Sequence, residues 1–267
     1  MCHPMRGTLL VLFALLVPTL AVGEELTARE IMERVDARDD GDNVTQDMEM
    51  ILIDKNGSQR VRKLRSYARD EGEDDQSIVF FLTPADVEDT GFLTYDYDDR
   101  DRDDDQWLYL PALSRTKRIA SGDKSGSFMG SDFSYADMTK RPLEDYEFKL
   151  MGEKSVGGHD CWQIESIPIT DKEKKETGIQ KSVSFVRKDN YVVIRGVSWL
   201  KKGKRLKYFD VKKLEQIDGI WVATESHMTT KKGKKTQHKT VLRSSNVKFN
   251  QDLSKDLFTV RQLEKGP

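Results

Sequence analysis

The spacing of apolar positions changes once along the chain. Ile31, Met32 and Val35 recur at helical intervals, and Thr27-Ala28-Arg29-Glu30 just ahead of them is a capping box. This predicts a helix that opens at Thr27 and stops in the acidic run Asp39 to Asp42. From there the period becomes two. Val44, Met48, Met50 and Leu52 alternate with Thr45, Asp47 and Glu49, the pattern of a half-buried strand. Lys55-Asn56-Gly57 is a hairpin turn signal, so a return strand is expected over 60–68. Short strands follow at 76–82, 91–97 and 106–110, the last two flanking an acidic loop.

The second half is more regular. Strand patterns cover 145–154, 159–168, 179–187, 191–200, 204–215, 219–229 and 237–249. Gly157-Gly158, Lys188-Asp189-Asn190, Lys202-Gly203-Lys204, Asp218-Gly219 and Lys232-Gly233-Lys234 separate them. Turns this short join antiparallel neighbours. Ser254 caps a closing helical turn that reaches Phe258. The expected fold is mainly β with a little helix (α+β): an N-terminal helix and ten or more antiparallel strands. A sheet of that width must curl, split or close, and a curled one needs a cover for its concave face.

The stretch from Trp107 to Met138 breaks the rhythm. Pro111 halts a strand, since it cannot donate to a ladder. Arg115, Lys117 and Arg118 are basic, and the Gly/Ser-rich run Ser121 to Ser134 cannot be regular structure. Yet Phe128, Met129, Phe133 and Tyr135 sit in or beside it. A loop with such side chains either plugs its own core or folds them into a cavity or onto a partner, and composition alone leaves both open.

Two segments here carry a family resemblance. Trp107 to Ile119 reads WLYLPALSRTKRI, and Ser127 to Met138 reads SFMGSDFSYADM. Together with Gly91-Phe92-Leu93-Thr94-Tyr95 they strongly resemble the LolA-like family of outer-membrane lipoprotein-sorting proteins (the LolA/LolB superfamily). The nearer likeness is to the branch found beside RND (MMPL) type exporters. The resemblance spans the chain from the first helix to the last strand. It implies an incomplete antiparallel β-barrel, closed by the N-terminal helix and by loops or short helices around an apolar cavity. It also implies binding or sensing of acyl chains in the periplasm. It supplies no catalytic residue and no cofactor.

Carriage of a lipid has a physical rationale. An acyl chain of about 15 methylenes costs on the order of 12 kcal/mol to expose to water, which an apolar hollow would offset. Trp107, Tyr109, Leu110, Phe128, Met129, Phe133, Tyr135, Trp162, Trp199 and Trp221 are the candidates for lining or covering such a hollow, although each also fits an ordinary core. Arg115, Lys117 and Arg118 are candidates for contact with a partner or a lipid headgroup.

The N-terminus adds a destination. Arg6, the apolar run Leu9 to Val17 and the small residues Ala21-Val22-Gly23 make a secretory signal, with cleavage expected after Gly23. A single domain is then expected over 24–267, exported and soluble. Of the two cysteines only Cys161 would remain, which suits a bacterial periplasm and reads as a packed thiol. The net charge is −2, but from Glu24 to Leu150 there are 32 acids and 18 bases, and from Met151 onward 14 and 25. Such asymmetry can steer docking.

Other chemistry finds no footing. Asp101, Asp103 and Asp105 have the opening spacing of a calcium loop, but Gln106 and Ala112 stand where Gly and Glu are required, so the run reads as a solvated hairpin tip. His159, His227 and His238 have no zinc spacing, and there is no Gly-x-Ser-x-Gly elbow or phosphate loop. Lysines at 201–204, 212–213 and 231–235 could meet anionic headgroups or protect sheet edges; a nucleic-acid partner conflicts with export. The leading expectation is a carrier for a lipid or acylated protein, partnered by an inner-membrane RND-type exporter and touching membranes transiently. The alternative is a sensing or assembly module that binds lipid without moving it.

Overall fold

The computed structural model describes residues 25–202 and 204–267, so the signal segment lies outside the described residues. Thirteen antiparallel strands form one sheet. In the first half they are β1 (Asn43–Asp54), β2 (Gln59–Glu71), β3 (Asp74–Thr83), β4 (Gly91–Asp96), β5 (Asp105–Leu110) and β6 (Arg115–Arg118). The second half contributes β7 (Tyr146–Val156), β8 (His159–Pro168), β9 (Ile179–Arg187), β10 (Val193–Leu200), β11 (Arg205–Ile217), β12 (Ile220–Lys232) and β13 (Lys235–Phe249). Their order is β6-β5-β4-β3-β2-β1-β13-β12-β11-β10-β9-β8-β7. Two meanders are thus fused where β1 pairs with β13, and the sheet ends at β6 and β7. It is an incomplete barrel. Because β6 and β7 are consecutive in the chain, residues 119–145 must run from one open edge to the other.

Among the described residues three α-helices accompany the sheet: α1 (Ala28–Asp36), α2 (Asp171–Glu176) and α3 (Val260–Lys265). The Glu30 N–H donates to Thr27 Oγ1 at 3.2 Å and the Thr27 N–H to Glu30 Oε2 at 2.7 Å, which completes the expected capping box. None of the described helices is long and apolar enough to cross a membrane.

Alternation gives each face of the sheet its own cover. Met50, Leu52, Leu64, Phe81, Phe92, Leu108 and Met228 point to one face, where they pack with Ile119, Phe128 and Phe133 of the edge-to-edge segment. Register carries the same face across the second half. Met228 lies opposite Phe209, Phe209 opposite Gly196, Gly196 opposite Ser184, and Ser184 opposite Ile164. Ile164 is where Ala28 and Ile31 of α1 are buried. The segment 119–145 and α1 therefore divide this inner face between them.

The outer face of β3 and β4 is covered by the C-terminus. Ile78, Phe80 and Leu93 pack against Phe258 and Leu263, with Tyr95, Trp107 and Tyr109 at the margin. The approach of α3 depends on Gly91, where an added Cβ would fall 2.5 Å from Leu263 Cδ1 and 3.2 Å from the Leu263 carbonyl oxygen.

The acidic run before β5 is exposed over 98–103, as expected of a solvated hairpin tip, but it is also tied to its surroundings. Asp103 pairs with Lys172 of α2 at 2.9 Å, Asp104 with the buried Lys124 at 2.9 Å, and Asp105 with Arg118. Arg100 reaches Asp145 at 2.8 Å. These pairs tie the hairpin to β6, the 119–145 segment and α2 while its tip faces solvent. Among the described residues no group of three His, Cys, Asp or Glu side chains is arranged to hold a metal ion.

Candidate functional site

The segment 119–145 is a strap laid over the inner face. Its centre is a tight reversal. Met129 (φ 49°) and Gly130 (φ 76°) both take left-handed backbone, and the Phe128 N–H donates to the Phe133 carbonyl at 2.8 Å. Ser127 and Ser134 form a single bridge. This turn projects Phe128 and Phe133 into the barrel, where they are 2% and 8% exposed. The Phe128 ring lies 5.0 Å from Phe92, 5.8 Å from Tyr135 and 6.1 Å from Phe81, centroid to centroid. The Gly/Ser composition is what lets the chain bend sharply enough to deliver four large side chains from a few residues.

Polar groups hold the strap at five points. Arg62 of β2 is buried over the Phe81 ring and donates to the Met129 carbonyl at 2.5 Å; burial, and then the nearby Arg60, pull its pKa below the ordinary arginine value. Gln106 of β5 donates to the Tyr135 carbonyl at 3.0 Å. The Asp132 carboxylate accepts from Thr240 Oγ1 at 2.8 Å and lies 2.7 Å from His238 Nδ1, both on β13. Asp137 pairs with Arg141 at 3.1 Å and Lys207 of β11 at 3.2 Å. Burial works against the Asp137 charge, but these two cations outweigh it and hold its carboxyl below the usual range. Lys124 lies between Asp104 and Glu176 of α2, at 2.9 and 3.1 Å.

The strap thus fills the apolar interior. Clefts that stay open are of a different character. One of about 600 Å³ is lined by Asp47, Glu49, Lys63, Arg65, Glu225 and Arg243 among others. Another of about 430 Å³ lies beside Asp75, Asp96, Arg100, Asp104 and Lys140. The first also takes in Met48, Leu64 and Leu82, and both clefts are rimmed by charged side chains.

The sequence candidates fall into several places. Leu110, Phe128, Met129, Phe133 and Tyr135 come together in the strap cluster. Trp107 and Tyr109 lie on the outer face against the C-terminal segment. Trp162 stacks on Tyr191 beneath α1, ring centroids 5.5 Å apart. Trp221 packs near Cys161 in a separate cluster, and burial pushes the Cys161 thiol up. Trp199 is half-buried, with Lys181 Nζ 5.0 Å from its ring. Arg115 and Lys117 are exposed on edge strand β6, while Arg118 is held by Asp105. The anchors Arg62, Gln106, Asp132, Lys207 and Thr240 are additions. Only Gln106, a lone amide in an apolar strand, left a sequence signal.

Beyond the strap's last turn, three aspartates line up across adjacent strands. Asp70 lies opposite Asp75, and Asp75 opposite Asp96. Lys140 bridges them, its Nζ 2.5 Å from Asp75 and its N–H donating to Asp96 at 2.6 Å. Burial, followed by Asp75, pushes Asp70 up to about 6. Burial also raises Asp96 to about 7, against the pull of the Lys140 amide. Both groups bind a proton more readily folded than unfolded, so their unfavourable contribution is absent below about pH 4, grows as pH rises to about 7 and is fully present by about pH 8. The double variant Asp70→Asn/Asp96→Asn is expected to flatten this slope and to gain most in melting temperature near pH 8. Thermal melts across that range check it; parallel profiles for the two proteins would contradict it.

Comparison with known proteins follows this architecture. A family model described as "Uncharacterized protein" matches residues 73–265. A DUF1329 family protein from Desulfovibrio piger is 32% identical, with a TM-score of 0.80 over 88% of this chain and 97% of that one. An outer membrane lipoprotein-sorting protein domain from Vibrio parahaemolyticus is also 32% identical, with a TM-score of 0.79 over 89% of this chain and 98% of its own. The LolA superfamily protein NE2245 from Nitrosomonas europaea, 20% identical, shares the fold, with a TM-score of 0.66 over 89% of this chain and 100% of that one. No curated protein matches.

Proposed function

Since this chain belongs to the LolA-like family, together with the D. piger and V. parahaemolyticus proteins, we propose that it is a periplasmic carrier for a lipid or an acylated protein. Its action is binding and release, not catalysis. The cargo site is the inner face of the sheet, and the strap is its lid and its stand-in occupant. The observation that carries this reading is the packing of Phe128, Met129, Phe133 and Tyr135 against the inner face between two unpaired edges.

The energetics make exchange plausible. Phe128, Phe133 and Tyr135 each remove on the order of 200 Å² from water, together about 15 kcal/mol of apolar burial. A single acyl chain supplies about 12 kcal/mol on the same scale. On apolar burial alone cargo replaces the strap at a cost of about 3 kcal/mol, to which release of the polar anchors adds, and withdrawal of cargo lets the strap return. An empty, permanently open hollow would instead leave that surface exposed. The inner-membrane RND-type exporter is the proposed partner, on the resemblance of Gly91–Tyr95 and Trp107–Met138 to the branch found beside such exporters.

Protein purified without detergent and extracted with organic solvent should release a lipid detectable by mass spectrometry, and the emptied protein should bind a fluorescent fatty acid. In a Cys161→Ala background, Asp132→Cys with Thr240→Cys ties the strap to β13 when oxidised. Uptake should disappear on oxidation and return on reduction. Empty preparations that also ignore the fatty acid would overturn the reading. The five polar anchors also favour a second reading, a sensor whose lid opens rarely. Transfer of cargo between two vesicle populations separates the two, because a sensor binds without transferring.

A further inference from the structure

In an antiparallel meander, alternate turns share a rim. The turns after β10 and β12 therefore lie on one rim, two strands apart and adjacent along it. The first is flanked by Lys201, Lys202, Lys204 and Arg205, and the second by Lys231, Lys232, Lys234 and Lys235. Lys231 has its ammonium 4.9 Å from the Tyr208 ring and is half-buried; the other seven are exposed. Register sharpens the crowding. Arg205 lies directly opposite Lys232, and Lys232 directly opposite Lys235, so three cations face one another across three strands. Like charges so placed destabilise a sheet. Among the described residues, none of the eight takes part in an ion pair with a carboxylate, and no acid occurs between Glu225 and Asp252.

Edge protection does not account for this. Lysines guard strands that lack a neighbour, whereas β10 to β13 are each paired on both sides. The same rim also carries the turns after β1, β3 and β8, so the lysine hairpins are a local concentration of positive charge and not one pole of the whole molecule. Trp199 and Tyr208 sit within a few residues of the first turn, half-buried, in the position of amphipathic rings at a membrane interface.

We propose that the two lysine hairpins form a docking surface for an anionic phospholipid bilayer, with this rim facing the headgroups. The inference rests on the carrier reading only for the reason such a protein should visit a bilayer. The charge supplies the attraction, and the indole and phenol rings sit at the headgroup level.

The test is cosedimentation with phosphatidylcholine vesicles, with and without about a third phosphatidylglycerol, at low and at physiological salt. Wild-type protein should bind the anionic vesicles, more weakly as salt rises, and ignore the neutral ones. Lys202→Gln, Arg205→Gln, Lys232→Gln and Lys235→Gln together should weaken binding at least tenfold, since each cation near an anionic surface contributes up to roughly a factor of five. The same variant should melt no lower than wild type and take up the fluorescent fatty acid unchanged, which separates failure of docking from failure of the carrier reading. Equal binding to both vesicle types, or anionic binding indifferent to the four substitutions, would overturn the proposal. So would binding of soluble polyglutamate without vesicle binding, which assigns the surface to an acidic protein.

Discussion

Replacing Phe128 with alanine is expected to lower stability by about 3–5 kcal/mol and, at the same time, to raise affinity for an apolar probe. The ring is 2% exposed and is enclosed by Phe81, Phe92 and Tyr135, so its removal leaves a cavity that neighbours on a rigid sheet fill only in part. For a domain of this size the loss corresponds to a fall in melting temperature on the order of 10 °C. An ordinary core position would show the same fall and nothing more. Phe80, 0% exposed on the outer face against the C-terminal segment, is such a position. Phe80→Ala should destabilise comparably and leave uptake of the fluorescent fatty acid where it was. If Phe128→Ala and Phe80→Ala behave alike in the uptake assay, the strap is a core element only.

Much of this fold is legible in the sequence because period-two alternation survives wherever one face is covered and the other is wet. Met48, Met50 and Leu52 announce β1, and the Gly-containing turns bound almost every strand of the second half within a residue or two. The elements that escape have no such pattern. β6 is Arg-Thr-Lys-Arg, a short edge strand with no buried side chain. In α2 all six residues are charged, and its buried positions are Glu173 and Glu176. The six-residue α3 buries only Leu263, too little for a periodic signal. Parity also shows that Trp107 and Tyr109 oppose Leu108, but not which side is the inner one. That depends on where the strap lies, and the strap is fixed by contacts such as Asp132 with Thr240, which are 108 residues apart. No local rule reaches that far.

Charge follows the same logic. Along the chain the acids crowd the first half and the bases the second. Folding leaves the lysine hairpins after β10 and β12 without a carboxylate partner among the described residues. The acidic hairpin before β5 is then brought against α2 and the strap, and this junction spans the gap between β6 and β7. Electrostatics therefore does two jobs in one molecule. It leaves cations uncompensated on one rim, and it closes the sheet's open side with compensated ones.

Lys124 is where that closure is most concentrated, and Lys124→Ala is expected to cost about 3–5 kcal/mol, the usual effect of breaking a buried ion cluster from one side. Its side chain is 1% exposed, and Asp104 and Glu176 lie 2.9 and 3.1 Å from its ammonium. Burial opposes the charge, yet the two carboxylates prevail and hold its pKa above the ordinary lysine value. Removing the amine leaves two acids facing each other across a poorly solvated junction, so the loss exceeds the worth of either pair. The same reasoning predicts rescue. Lys124→Met combined with Asp104→Asn and Glu176→Gln removes every charge, and should regain most of the stability lost in Lys124→Met alone. Urea unfolding of the four proteins checks this, with the midpoint carrying the effect and the slope unchanged. Added salt should do little to the wild-type midpoint through this cluster, because buried pairs are weakly screened. A Lys124→Ala protein as stable as the parent would mean that the edge-to-edge junction is held by the strap's apolar packing alone.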